Sequence, residues 1–223
     1  GSRTAVRRAR TRLVSTAGKR NWAELAATIL LAAAAVATAW SSYQATRWNG
    51  EQAKTSSRVN KTRIDAARAA DRTNALTQVD IATFIQWVDA YAQNENELAS
   101  FYRTRFRDEF RPAFNAWIGT RPLENTDAAP TPFALPEYKL DSAAKAARLD
   151  AQAEVLSATV RRDIQRASNY VLAVVLFAVA LFFAGMSTKL TAAGLRTAML
   201  AVGWVVFLGA AAWVATSPMS VGI

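Results

Sequence analysis

The sequence predicts an all-α integral membrane protein with three transmembrane helices and a helical-hairpin, coiled-coil-like extramembrane domain. Three observations carry that prediction. Hydrophobic residues make up 52% of the 223-residue chain and charged residues 20%, and the two kinds separate along it. Three apolar stretches, from Trp22 to about Tyr43, from Ala167 to Met186 and from about Leu195 to Val214, each approach the ~20 residues that carry a helix across ~30 Å of hydrocarbon. Between the first and second lies a long polar stretch with helical apolar spacing and one proline-rich interruption.

Residues 1–20 form a basic tail. Arg3, Arg7, Arg8, Arg10, Arg12, Lys19 and Arg20 meet no acid before Glu24. Beside a membrane such cations hold anionic lipid headgroups at ~1 kcal/mol each, which makes Arg7, Arg8, Arg10, Arg12, Lys19 and Arg20 the candidate headgroup contacts.

Residues 21–48 are the first span, longer than the core of a cleavable signal and therefore read as a permanent one. On a helical wheel Trp22, Leu25, Ile29, Leu30, Val36, Trp40, Tyr43 and Arg47 fall on a lipid side, with Trp22, Trp40, Tyr43 and Arg47 as interface anchors and Arg47 over Tyr43. The opposite side is small or polar: Glu24, Thr28, Leu31, Ala35, Thr38, Ser42 and Asn49, interleaved with Ala27 and Ala34. Two readings stay open for it, a helix-packing seam or the lining of a pore. Glu24 is the sole carboxylate of the three spans. It either caps the helix with Asn21 or serves a function within the membrane.

Residues 49–166 read as helices with one interruption. No proline or glycine occurs from Glu51 to Ala92, so the first span is expected to continue outward, with Gly50 its weakest point. Thr77, Ile81, Phe84, Ile85, Val88 and Tyr91 supply its apolar face. A second helix is expected from Glu95 to Ile118, kinked at Pro112, with Leu98, Tyr102, Phe106, Phe110, Phe114 and Trp117 inward. The stretch "FYRTRFRDEFR" interleaves arginines with aromatics. On a helix, Arg103, Arg107 and Arg111 make a solvated row, and nucleic acid is not an expected partner. A proline-rich loop, 119–140, is too apolar for a free linker. A last helix begins near Asp141, with Leu149, Ala153, Leu156, Val160, Ile164 and Ala167 on one side, and runs into the second span, 167–186.

A short basic loop, 187–194, joins it to the third span, 195–216, which ends in the tail 217–223. Gly194, Ala198, Val205, Gly209 and Ala212 make a close-packing row, and Trp213 is an interface anchor. Lys189 and Arg196 make this connection basic, as is the tail, which places both in the cytoplasm and residues 49–166 outside it.

Chemistry is sparse. The chain has no histidine and no cysteine, which removes Ser/His/Asp triads, thiol nucleophiles, His or Cys metal sites and disulfides. No phosphate-binding glycine loop is present. No catalytic residue, metal or cofactor is expected.

The run "NWAELAATILLAAAAVATAWSSYQATRWNGEQA", together with "PTPFALPEY", resembles a group of small, uncharacterised bacterial inner-membrane proteins with one span, a helical domain and two further spans. That resemblance implies the architecture and a bacterial inner membrane, and brings no activity with it. The expectation is a non-enzymatic homo-oligomeric membrane protein whose helical domain mediates self-assembly or binds a protein partner. The alternative is an oligomeric ion channel lined by the polar side of the first span.

Overall fold

The computed structural model describes residues 22–122 and 124–220 in full, and the backbone alone of 2–21. The tail residues Arg7, Arg8, Arg10, Arg12, Lys19 and Arg20 have side chains outside the described residues. With nothing to interrupt it, the first helix, α1 (Ser2–Ala92), runs through Gly50, whose backbone freedom costs only about 1 kcal/mol against a long helix. It is followed by α2 (Asn96–Arg105), α3 (Arg111–Gly119), a 3-10 turn (Pro132–Ala134), α4 (Asp141–Lys189) and α5 (Ala193–Ala215), with no strand among the described residues. Three helices, Trp22–Ala92, Asp141–Lys189 and Ala193–Ala215, are long and apolar enough to cross a membrane.

Two elements differ from the sequence expectation. The helix expected from Glu95 to Ile118 is broken, not kinked. Phe106 leaves the α region with ψ 140°, and Arg111 Nε donates to the Phe106 carbonyl at 2.9 Å across the break. Pro112 falls in the first turn of α3, where its missing N–H leaves no bond unmade. The basic loop expected over 187–194 shrinks to residues 190–192, since α4 reaches Lys189 and α5 begins at Ala193.

The chain divides into two compact units. The span unit comprises Gly1–Thr55 and Thr159–Ile223. Its core has three layers. Ala27 and Leu30 meet Ala184 and Leu200, Ala37 packs against Ala173, Phe177 and Ala210, and Ala45 and Trp48 meet Ala167 and Tyr170, with Val214 against them. Successive partners run downward on α4 and upward on α5, an up-down-up arrangement of three helices. On α1 the inward positions are Ala27, Ala34, Ser41 and Trp48, all buried, interleaved with Leu31, Thr38 and Ala45, half-buried or buried. Their spacing alternates four and three residues. Leu30, read from sequence as lipid-facing, is fully buried instead.

The aromatic unit, Ser56–Ala158, is held by a different core. Phe84 and Trp87 of α1 meet Ala99, Phe106, Phe110, Phe114 and Trp117, with Phe133, Leu135 and Tyr138 of the proline-rich segment packed against them. Phe84 approaches Trp117 edge-on at 5.3 Å and Phe133 at 5.7 Å. Trp117 Nε1 donates to the Ala129 carbonyl at 2.8 Å, which ties the loop down. Beside this core α1 and α4 lie together. Thr73 Oγ1 donates to Ser142 Oγ at 2.8 Å, and Arg63, ten residues back on α1, reaches Ser157, fifteen residues on along α4, at 3.4 Å, so the two run antiparallel. α1 ends where Asn94 takes a left-handed conformation (φ 60°), with Glu95 N–H on the Ala90 carbonyl and Asn94 N–H on that of Tyr91.

Candidate functional site

The α1 side singled out from sequence divides into two rows. Leu31 and Thr38 turn inward, Leu31 against the Leu30 cluster and Thr38 half-buried. Glu24, Thr28, Ala35, Ser42 and Asn49 are exposed on the surface of the chain. The last four sit one residue past the buried positions 27, 34, 41 and 48, while Ala27 and Ala34 of the expected side are buried, so the inward face keeps part of that side and is turned from it by less than the ~100° of one residue. The exposed row is also wider than expected. Thr28, Ala32, Ala35, Ala39, Ser42, Thr46 and Asn49 are all exposed, spaced four and three residues apart, and every one is small or uncharged polar.

The hydroxyls of this helix are engaged locally. Thr28 Oγ1 donates to the Glu24 carbonyl at 2.9 Å, Thr38 Oγ1 to that of Ala34 at 2.7 Å and Thr46 Oγ1 to that of Ser42 at 3.0 Å. Each satisfies its donor within its own helix, without water. Glu24 lies within α1 rather than at a helix start, and its Oε1 stands 3.7 Å from Arg196 Nη1 of α5.

The expected packing row on α5 also lies outward. Gly194, Ala198, Val205, Gly209 and Ala212 are all exposed, and a Cβ built on Gly194 or Gly209 meets nothing within 4 Å. Close packing inside the chain belongs to Gly203, unforeseen from sequence, where a Cβ would stand 3.1 Å from Leu30 Cδ2 and 3.4 Å from Phe183 Cβ. Trp22, Trp40, Tyr43 and Trp213 are exposed, and the Trp40 and Tyr43 rings lie 5.9 Å apart. Arg47 is half-buried. The guanidinium stacked on an indole at this end is that of Arg166, 4.5 Å from the Trp48 ring and 3.4 Å from Asp163.

A second polar constellation occupies the aromatic unit and was not legible in the sequence. Asp80 is fully buried. Its Oδ2 accepts from Arg107 Nη1 at 2.8 Å and from the Tyr138 hydroxyl at 3.0 Å, and that hydroxyl also lies 3.2 Å from Thr77 Oγ1. Oδ1 has no partner among the described residues. Arg107 pairs as well with Glu109, whose Oε1 accepts the Asp141 backbone N–H at 3.0 Å and so caps α4. Arg107 is therefore an internal tie, not part of a solvated row. Burial pushes the Asp80 carboxyl above its ordinary range, against the Tyr138 hydrogen bond and the Arg107 charge, and it pushes the Tyr138 phenol up too. A cleft of about 680 Å³ opens beside this cluster, its lining including Arg68, Arg72 and Lys145 but also Asp65, Glu109 and Asp141. The alternating signs leave it little net field for an ion of either charge.

Compared with known proteins, the chain matches no family model, no curated protein and no solved structure.

Proposed function

We propose that this protein is a non-enzymatic membrane scaffold that self-associates through the small outer row of α1 and carries the aromatic unit as an extramembrane assembly domain. One observation carries the reading: the exposed row Thr28, Ala32, Ala35, Ala39, Ser42, Thr46, Asn49. Lipid gives no reason for a span to present only small side chains along one face. A second helix does, because small residues let backbones approach closely enough to gain dispersion contacts. The exposed α5 row, with Gly194 and Gly209 open to close approach, offers a second contact of the same kind. The alternating four-and-three spacing of the buried positions fits a coiled-coil-like pairing of α1 with α4.

In this reading the chain sits in a bacterial inner membrane, as its resemblance to small inner-membrane proteins implies. The basic tail holds anionic headgroups in the cytoplasm and residues 49–166 lie outside. The same row could line a channel in an oligomer. The packing reading is favoured because Thr28, Thr38 and Thr46 hydrogen-bond their own helix and Glu24 faces Arg196, so these four candidate lining groups are already engaged.

The absence of native cysteine provides a clean test. Oxidation of membranes carrying Ala35→Cys should give a disulfide-linked dimer, and Trp40→Cys, on another face, should not. Equal linking at both sites, or none at Ala35, would remove the reading. An impermeant thiol reagent on intact cells should label Thr126→Cys and spare Thr191→Cys, and the reverse pattern inverts the orientation.

A further inference from the structure

Within the aromatic unit, α1 buries Asp80, Phe84, Trp87 and Ala90 and leaves another face bare. The sequence places Ile81, Ile85, Val88 and Tyr91 on one apolar face with Phe84, and of these Phe84 is buried while the four are 39%, 50%, 39% and 48% exposed. Asn74, Gln78, Ile81, Ile85, Val88 and Ala92 form a continuous exposed row with alternating four- and three-residue spacing and no charge. That is a helix-pairing pattern, apolar at its centre and amide-bearing at one end.

We infer that this row is a homotypic contact, closing against the same six residues of a second copy of the chain in parallel orientation. The inference rests on the proposed self-association of the spans, and three features of the row single out that occupant. Two copies inserted in one membrane share one orientation, so a contact between their α1 helices is parallel and sets each residue opposite its own counterpart. A row that meets itself this way must be free of charge, and this one is. The positions flanking it, Ala75, Ala82 and Asp89 on one side and Thr77, Phe84 and Tyr91 on the other, carry a single charge between them. By contrast, Arg58, Lys61, Arg63, Arg68, Asp71 and Arg72 crowd the preceding turns, where self-pairing would set like charges together.

Area points the same way. The apolar part of the row is only four side chains, Ile81, Ile85, Val88 and Ala92, the first three no more than half exposed, far short of the ~20–30 residues and ~800 Å² per partner of a free-standing complex. Such a patch is inadequate for a partner arriving from solution. It suffices for a copy already held alongside, because tethering replaces the bimolecular step with an effective concentration near millimolar. Asn74 and Gln78 then act as register markers, since an amide meeting its own counterpart can hydrogen-bond while an amide facing isoleucine cannot.

Single cysteines at Ile85 and at Val79, which is exposed off the row, test this in the full-length chain in membranes, with Ala35→Cys as the span reporter. Crosslinking at Ile85 and Ala35 but not at Val79 is the expected result. Linking at Ala35 with none at Ile85 overturns this contact, including the case in which another protein covers the row, and leaves span association standing. Absence of linking at both Ala35 and Ile85 overturns the two together. A second measurement guards against local distortion by the cysteine: Ile85→Lys should lower the Ala35 dimer yield at least severalfold, because it sets two ammonium groups face to face. An unchanged yield contradicts the contact.

Discussion

Asp80 carries its carboxyl where an ionised group is costly unless paired, and the pair comes from Arg107, 27 residues on. Removing one partner of a buried pair typically costs about 3–5 kcal/mol, because the remaining charge stays desolvated. Arg107→Ala is expected to loosen the aromatic unit by that order, read as faster amide exchange over residues 96–119 with α5 unchanged. Unaltered exchange would contradict the role of the pair. The pH dependence has a definite sign. Burial raises the folded-state value of Asp80 above the ordinary one, so the folded chain holds that proton more tightly than the unfolded chain does. The Asp80 contribution is therefore fully present below its unfolded value and is lost as the pH rises through its raised folded value. The stability of the native chain relative to Asp80→Asn should grow as pH falls, measured by denaturant unfolding, and a difference that shrinks in acid would contradict it. Nothing in the sequence marks Asp80. One polar residue within a helical pattern looks solvated until Arg107 and Tyr138 arrive from segments folded over it.

At the scale of elements, the sequence reading succeeds where local chemistry punctuates. Asp141 starts α4 where expected, the proline-rich segment interrupts the helices, and α1 passes through Gly50. It fails where rotation about a helix axis has to be judged. In α1, alanines occupy both the buried row and the exposed row beside it, so composition offers little contrast between Ala34 and Ala35. A straight-helix wheel also drifts by about 20° per heptad from a seven-residue packing register. The α5 glycines show the same ambiguity resolved by geometry. Gly203→Leu must displace Leu30 and the Phe183 contact, an overpacking of about 1–3 kcal/mol, and should weaken the docking of α5 in the chain itself. Gly209→Leu meets open space. It should leave the protomer intact and, on the present account, reduce self-association. Thermal unfolding separates the two, and equal destabilisation by both would contradict the assignment.

For the whole molecule, the uncharged outer rows are what support the proposed assembly. The central claim is that the small outer row of α1 joins copies of the chain. Native mass measurement in a mild detergent tests it most directly, on the natural protein and on Ala35→Leu/Ser42→Leu. Both positions are exposed in the single chain, so the larger side chains leave its own core untouched. The account predicts a natural protein at an integer multiple of the chain mass and a doubly substituted protein at one chain mass with the same helical content. A natural protein found only as a single chain, or a doubly substituted protein that assembles like the natural one, would contradict it.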